Sequence, residues 1–569
     1  MIRDPWPGYG AVQVWIPDRK ARHPKIADFR ARLPSGMTRD QVMSSRLDRK
    51  PEDCVLRLRG ISKRFGDLLA NDGIDLDLGR GEILALLGEN GAGKTTLMNI
   101  LFGHYVADAG EAQVADAGGV LAPLRGGSPN AALLAGIGMV HQHFTLAENL
   151  SAIDNIILGT ETLFRPWQQR RGARRKLAAL MQRSGLQVDL DATVAALSVG
   201  ERQRIEILKA LYRDARILIL DEPTAVLTPQ ESERLFATLR RLAADGLSVV
   251  FISHKLAEVM AISDRVVVLR GGRVVTTVAA GETDGPRLAE TMVGRPIPPT
   301  VRQPMTPTDT VLELAEVHVP GEHNRPSLTD ASLRVHRHEI VGIAGVSGNG
   351  QAALSNLICG LAVHTHGRFE IFGRAAMVGA PARMVADGVG RIPEDRLHDG
   401  IVGSMAIWEN LLLEDYRRPD FHHAGFLRRA AARVNARQVI EAFDVRCPGP
   451  EAPTRLLSGG NIQKLILGRV LTRHPDVILA NQPTRGLDIG AVTYVHRRLL
   501  EARGAGAGII LISEDLEELL QVADRIAVLY RGRLSNPVPA EEADLTSLGL
   551  LMSGQGEFQG DRRRAGHAA

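Results

Sequence analysis

A glycine-rich segment near residue 90 has the spacing that cradles a phosphate group. The sequence GENGAGKT over residues 88–95 fits the pattern G-x-x-x-x-G-K-[ST]. It follows an apolar run, EILALLG, and precedes a segment of helical period, TTLMNILFG. Glycines let backbone N–H groups turn toward an anion, and the helix that follows presents its positive end. We therefore predict that Lys94 pairs with the β- and γ-phosphates of a nucleotide and that the Thr95 hydroxyl binds Mg²⁺.

Two carboxylates follow another apolar run. Asp221 and Glu222 come directly after ILIL, which predicts that they lie at the end of a buried strand. An aspartate there suits Mg²⁺, usually through water, and a glutamate suits polarising an attacking water. A strand-end turn without catalytic function is the alternative for an isolated acidic pair. Because the Asp221–Glu222 pair follows a phosphate loop in the sequence, a role in hydrolysis is favoured.

Three single residues acquire a meaning only from their positions. Gln142, in MVHQHF, and His254, in VVFISH, lie at or just beyond predicted strands, and Phe65 lies in KRFG. Taken alone, the first two are more often satisfied polar residues, and the phenylalanine is more often part of a core. Their interpretation therefore depends on the motifs around them.

Composition and charge exclude several classes of protein. A hydrophobic content of 44% and a charged content of 24% indicate a globular chain rather than a disordered one. Three cysteines without a C-x-x-C pair argue against a disulfide framework or a zinc site. No apolar run approaches the ~18 residues that cross a bilayer, so a membrane span would have to come from a partner. For the arginines at residues 170–175, contact with nucleic acid or lipid headgroups is the alternative to a solvated helix face, which is the commoner role of such a cluster.

The chain contains an internal repeat. LSVGERQR, from Leu197, is matched by LSGGNIQK, from Leu457, at an offset of 260 residues, and RILILDEPT is matched by DVILANQPT at the same offset. GENGAGKTT is matched by GVSGNGQAA at an offset of 257 residues. Short apolar runs alternate with longer segments of helical period in each half, which predicts an α/β fold with a mostly parallel sheet. Residues 163–197 lack strand signals and predict an inserted helical subdomain.

The repeat predicts two tandem P-loop domains of similar length. We expect a flexible N-terminal extension at residues 1–52 and a first domain at residues 53–297. A Pro-rich linker at residues 298–309 would lead to a second domain at residues 310–555, and residues 556–569 would form a disordered tail.

The ordered set GENGAGKT, HQ, LSVGE, LILDEPT and ISH resembles the ATP-binding-cassette ATPases, and the repeat makes the resemblance that of a tandem member. It covers roughly residues 53–555 and is specific, because other P-loop classes lack the LSGG-type motif. Modules of this family pair head to tail, so that each ATP lies between the phosphate loop of one module and the LSGG motif of the other.

The resemblance implies a role for each matching residue. Phe65 would stack on adenine, and Gln142 would contact Mg²⁺ and sense the membrane partner. His254 would hold the γ-phosphate and the water in register with Glu222. The implied catalytic residues are Glu222, His254, Gln142 and Lys94, and the implied Mg²⁺ ligands are Thr95, Gln142 and Asp221. The implied nucleotide-binding set is Phe65, Gly88, Glu89, Asn90, Gly91, Ala92, Gly93, Lys94, Thr95, Thr96, Asp221, Ser458, Gly459 and Gly460.

The second module departs from the family pattern at several positions where the first module keeps it. Gln351 and Ala352 replace the loop lysine and threonine, and Glu322 replaces the stacking aromatic. The remaining replacements are Asn481 and Gln482 for the strand-end carboxylates, Glu514 for the histidine and, in a looser alignment, Glu394 for the glutamine. We therefore expect one competent site, which joins the first phosphate loop to Ser458 and Gly460. The mirror site, which includes Ser198, would at most hold nucleotide.

The motifs GVSGNGQ, RIPEDR, NQPTRGLD and LISEDLEELL together resemble the importer ATPases for simple sugars and nucleosides. DEPTAVLTPQE is closer to the nucleoside type, although Thr228 departs from the usual aspartate that Asp488 keeps in the second module. This branch implies two integral-membrane permease subunits, a solute-binding lipoprotein or periplasmic protein, and a peripheral place on the cytoplasmic face of the cell membrane. No nucleic acid is expected.

Two other classes of tandem ATPase remain as alternatives. Tandem cassette ATPases that act on ribosomes or nucleic acid have a long charged linker and two complete sites, whereas this linker is short and one site is degraded. The DNA-repair ATPases of the superfamily need cysteine clusters, which this chain lacks.

Overall fold

The computed structural model describes residues 53–116, 118–141, 144–160, 170–224, 227, 229–253, 255–296, 301–321 and 327–559. Gln142, His254, Thr228, Glu322 and most of the two predicted flexible ends lie outside this described part.

The strands of the first module form two sheets. They are β1 (Cys54–Phe65), β2 (Leu68–Gly79), β3 (Ile83–Gly88), β4 (Ala109–Ala115), β5 (Leu121–Pro123), β6 (Ile137–Val140), β7 (Ile217–Asp221), β8 (Ser248–Ile252), β9 (Arg265–Arg270) and β10 (Arg273–Ala279). The smaller sheet is antiparallel, in the order β2-β1-β4-β5. The larger sheet has the order β10-β9-β3-β8-β7-β6 and is parallel except for β10.

Some helices of the first module cover its larger sheet, and others form the helical insertion that precedes the LSVG motif. They are α1 (Lys94–Leu101), α2 (Pro129–Leu134), α3 (Ala152–Ile157), α4 (Arg170–Ser184), α5 (Val199–Tyr212), α6 (Pro229–Ala244), α7 (Leu256–Ile262) and α8 (Gly285–Val293). Strands β3 and β8 are buried along their whole length. Their mostly apolar runs are typical of parallel strands whose two faces are both covered.

The described strands of the second module form two larger sheets and a separate two-stranded sheet. They are β11 (Thr310–Val319), β12 (Leu328–His336), β13 (Glu339–Ala344), β14 (His366–Ile371), β15 (Arg374–Ala375), β16 (Val389–Ile392), β17 (His422–His423), β18 (Phe426–Leu427), β19 (Val477–Asn481), β20 (Gly508–Ser513), β21 (Arg525–Tyr530), β22 (Arg533–Leu534) and β23 (Val538–Pro539). Strands β17 and β18 form the separate sheet of this module. Its helices are α9 (Gln351–Ile358), α10 (Pro381–Ala386), α11 (Ile407–Leu412), α12 (Arg429–Ala442), α13 (Gly459–Leu471), α14 (Ile489–Gly504), α15 (Leu516–Val522) and α16 (Leu545–Met552).

The strand order shows that the two modules share one topology. The order β16-β19-β20-β13-β21-β22 in the second module repeats β6-β7-β8-β3-β9-β10 in the first, and β12-β11-β14-β15 repeats β2-β1-β4-β5. Each module encloses apolar cores on both sides of its larger sheet. The predicted duplication of an α/β unit with a mostly parallel sheet is therefore confirmed.

Two observations concern surfaces. The arginine-rich helix α4 pairs with aspartates, as in Arg174–Asp191 at 2.6 Å and Arg183–Asp245 at 3.4 Å, so its positive charge is largely balanced. Within the described residues, none of the helices combines the length and the apolar character needed to cross a bilayer.

Candidate functional site

The first phosphate loop connects the end of β3 to the start of α1. Gly91 and Gly93 have φ values of 82° and 98°, in the left-handed region that favours glycine. A Cβ on Gly93 would lie 2.3 Å from the carbonyl oxygen of Ala70, so only glycine fits there. The loop therefore has the open backbone cradle that the motif predicts, at the N-terminal end of a helix.

Lys94 is buried at the base of this loop. Its Nζ donates hydrogen bonds to the carbonyl oxygens of Gly88 at 2.6 Å and Glu89 at 3.0 Å. Burial lowers the pKa of Lys94, and the carboxylates of Glu222 and Asp221 oppose that change. The structure thus brings together the loop lysine and the two strand-end carboxylates that the sequence predicted.

The carboxylate pair lies where β7 ends. Glu222 has a φ of 47°, and its N–H donates to the carbonyl oxygen of Ile252 at the end of β8. Burial raises the pKa of Asp221, the neighbouring Glu222 carboxylate raises it further, and Lys94 opposes both. The half-buried carboxylate of Asp221 and the hydroxyl of Thr95, which is exposed at the start of α1, are hard oxygen donors of the kind that Mg²⁺ prefers. The residues present therefore fit a magnesium–nucleotide site.

A residue that the sequence analysis missed fixes the turn after this pair. Glu258, on α7, accepts hydrogen bonds from Thr224 at 2.5 Å and from Ser253 at 3.1 Å. The same arrangement recurs in the second module, where Glu518 accepts from Thr484 and Ser513. The offset of 260 residues that relates the two glutamates is the signal that could have found them.

The first loop contacts the second module directly. The side-chain Nδ2 of Asn90 donates to the carbonyl oxygen of Gly486 at 2.9 Å. Burial raises the pKa of Glu89, and the carboxylate of Asp488 raises it further. A Cβ on Gly490 would lie 3.9 Å from the Glu89 Oε1 atom. The segment after NQPT in the second module therefore faces the first phosphate loop.

The two LSGG-type motifs begin their helices differently. Ser198 and Glu201 form a closed capping box at the start of α5, in which the carboxylate accepts from the Ser198 N–H at 2.9 Å and its hydroxyl at 2.8 Å. Ser458 precedes α13 without capping it, and its hydroxyl accepts from Asn461 at 2.9 Å. The Ser198 hydroxyl holds the pKa of Glu201 below its usual range, so the start of α5 carries an anion.

The second phosphate loop is tied together by its own side chains. Gln351 donates to the carbonyl oxygen of Val346 at 2.8 Å and accepts from the N–H of Asn349 at 3.0 Å. Within the described part of the chain, Asn481 Oδ1 and Glu514 Oε1 are buried without a hydrogen-bond partner. Glu394 pairs with Arg485. The neutral Gln351 therefore does not supply this loop with the positive charge that Lys94 supplies to the first loop.

The predicted adenine platform lies at the end of β1. Phe65 is 42% exposed and packs edge-on against Tyr105 at a centroid distance of 5.4 Å. This exposure contradicts a core role, and the Lys63 Nζ lies over the ring, 5.5 Å from its centroid. The predicted roles of Gln142 and His254 stay predictions, because both residues lie outside the described part.

Comparison with known proteins gives a family match in both modules. The family model described as "ABC transporter" matches residues 71–225 and 328–485. The nucleoside import ATP-binding protein NupA of Lactococcus lactis subsp. cremoris is 42% identical over 503 residues, which cover 88% of this chain and 98% of that protein. The glucose import ATP-binding protein TsgD13 of Haloferax volcanii is 42% identical over 533 residues, which cover 88% and 96%.

The chain belongs to the ABC transporter family. It is an ATPase of that family, and the predicted resemblance to the import ATPases is confirmed. The solved complex of an archaeal ribosomal stalk protein with the ribosome recycling factor aABCE1 is 19% identical, with a TM-score of 0.57 over 87% of this chain and 92% of that chain. At that identity the likeness shows that the tandem-cassette fold is shared, and the import relatives are far more similar in sequence to this ABC ATPase.

Proposed function

We propose that this ABC ATPase is the energy-coupling subunit of a bacterial importer for nucleosides or simple sugars and that it hydrolyses ATP at one composite site. That site joins the phosphate loop of the first module to the LSGGN motif of the second. The hydrogen bond between Asn90 and Gly486 supports the composite site, because it joins the first phosphate loop to the second module.

Each residue of the composite site has its own role in hydrolysis. Lys94 and the loop N–H groups stabilise phosphate charge, and Glu222 polarises the attacking water. Thr95, Asp221 and Gln142 would hold Mg²⁺, which neutralises charge on the β- and γ-phosphates when it is bound. His254 would orient the water and the γ-phosphate, Phe65 would stack on the base, and the start of α13 would donate its N–H groups.

The names of the relatives support a role in solute import. NupA is a nucleoside import protein and TsgD13 a glucose import protein. We propose that this chain works beneath two permease subunits on the cytoplasmic face of the cell membrane, together with an external solute-binding protein. Residues 53–297 and 310–555 would be its two cassettes. Closure of the cassettes around ATP would switch the permeases between inward- and outward-facing states.

Matched substitutions at the ends of β7 and β19 test the composite site. E222Q removes the group that polarises water, so we expect trapped ATP and a fall in turnover of about 10²-fold or more. Q482A changes the corresponding residue of the second module and should leave turnover near that of the wild type. Steady-state ATPase rates and the nucleotide retained after gel filtration check both variants. Equal losses in the two would contradict the single-site proposal.

Co-purification with any permeases encoded beside this gene tests the importer assignment. ATP hydrolysis that is stimulated by those permeases, together with a nucleoside or sugar bound by their solute receptor, would support it. A stable complex with ribosomes in place of permeases would contradict it.

A further inference from the structure

Arg396 lies in the RIPEDR segment of the second module, just after β16. It opens a single π-helical turn, Arg396–Gly400, which the preceding Asp395 caps. The Asp395 carboxylate accepts the N–H groups of Leu397 and His398, both at 2.9 Å. The backbone that carries Arg396 is therefore fixed locally.

The guanidinium of Arg396 binds backbone carbonyl groups. Nη1 donates to the carbonyl oxygen of Arg485 at 2.9 Å, and Nη2 donates to that of Gly486 at 3.3 Å. The side chain of Arg485 pairs instead with Glu394. Two donors in a rigid planar fork fix a peptide segment more firmly than one flexible ammonium can.

The same guanidinium lies against the start of the LSGGN helix. A Cβ on Gly459 would lie 3.2 Å from Arg396 Nη2, so the absence of a side chain at Gly459 leaves room for it. The Gly486 carbonyl that Arg396 binds is also the acceptor for Asn90 of the first phosphate loop. One carbonyl thus connects the loop of the first module, through a single arginine, to the LSGGN motif of the second.

We propose that Arg396 is a positioning residue of the composite ATP site, because it holds residues 485–486 between the first phosphate loop and the LSGGN helix. The inference rests on the proposed composite site and adds a residue to it. Removing the guanidinium would free the segment, and the two halves of the site would then meet ATP in a less favourable relative position.

The test compares R396A, R396Q and R396K with R383A in the full-length chain. Arg383 lies in the same module, in an exposed pair with Asp387, and serves as the control. Loss of charged hydrogen bonds predicts an increase of about tenfold in the ATP concentration for half-maximal turnover in R396A, with a partial recovery in R396K. Binding of N-methylanthraniloyl-ATP in the E222Q background should weaken by a similar factor, and R383A should match the wild type in both measurements.

Melting temperatures without nucleotide separate positioning from simple stability. We expect R396A to melt near R383A without nucleotide and to gain less than R383A from added ATP. A lower nucleotide-free melting temperature with unchanged ATP affinity would overturn the proposal, as would wild-type kinetics in both R396A and R396Q. If R396A fails to fold, R396Q and R396K decide by the same criteria. Full turnover in E222Q would overturn the composite site itself, whatever the Arg396 variants do.

Discussion

The two phosphate loops have nearly the same backbone and opposite side-chain chemistry. Gly93 and Gly350 have φ values of 98° and 114°, and Glu222 and Gln482 have φ values of 47° and 49°. Lys94 and Gln351 both bind their own loops, but Lys94 is a cation that also interacts with two carboxylates, whereas Gln351 is neutral. The comparison teaches that the fold depends on the backbone turns, while hydrolysis depends on a few side chains that can be replaced without loss of the fold.

The starts of α5 and α13 differ in charge, and this difference complements the difference between the two phosphate loops. The Ser198–Glu201 box places a carboxylate at the start of the first module's LSVG helix. Asn461 takes the place of that carboxylate in the second module, so the start of α13 carries no anion there. In a head-to-tail pairing, the complete phosphate loop would meet the neutral helix start, and the altered loop would meet the anionic one.

The largest expected effect comes from removing the positive charge of Lys94 from the first phosphate loop. K94A should lower kcat/KM for ATP by about 10³-fold, because a cation buried among developing phosphate charges is lost. Q351A, at the matching position, should leave kcat/KM unchanged. ATPase assays on the purified full chain check both, and comparable losses would break the distinction between the two loops.

A smaller effect should follow from copying the anionic helix start into the second module. N461E would place a carboxylate three residues after Ser458 and should form the capping box seen at Ser198. Its charge would repel the γ-phosphate and raise the ATP concentration for half-maximal turnover about tenfold. N461Q is the neutral control, and titration of the rate against ATP gives the answer. An N461E chain with unaltered ATP dependence would show that the helix start does not face nucleotide.

The smallest effect concerns pH and stability. Burial raises the pKa of Asp221, so this carboxyl stabilises the fold most while it is protonated and loses that contribution as the pH rises through its folded pKa. D221N, which copies Asn481, should therefore raise the nucleotide-free melting temperature slightly at neutral pH and have less effect at acidic pH. Calorimetric scans across this range measure the difference. A lower melting temperature at neutral pH would contradict it.

Much of the fold and one half of the site follow from local sequence. The apolar runs before Gly88 and Asp221 identify parallel strands, and the motifs after them identify the loop and the carboxylates. The S-x-x-E spacing at Ser198 also carries the signal of a capping box. Local patterns cannot give the bonds of Arg396, because these depend on tertiary packing between segments about 90 residues apart.

The contact between Asn90 and Gly486 has a further consequence, because both residues belong to one polypeptide. Cassettes on separate chains must meet by diffusion, whereas tethered cassettes face each other at an effective concentration in the millimolar range when the connection is short. Closure of the two cassettes around ATP is then an intramolecular event in this chain. Its specific ATPase rate should stay constant on dilution, where a pair of separate subunits would lose activity.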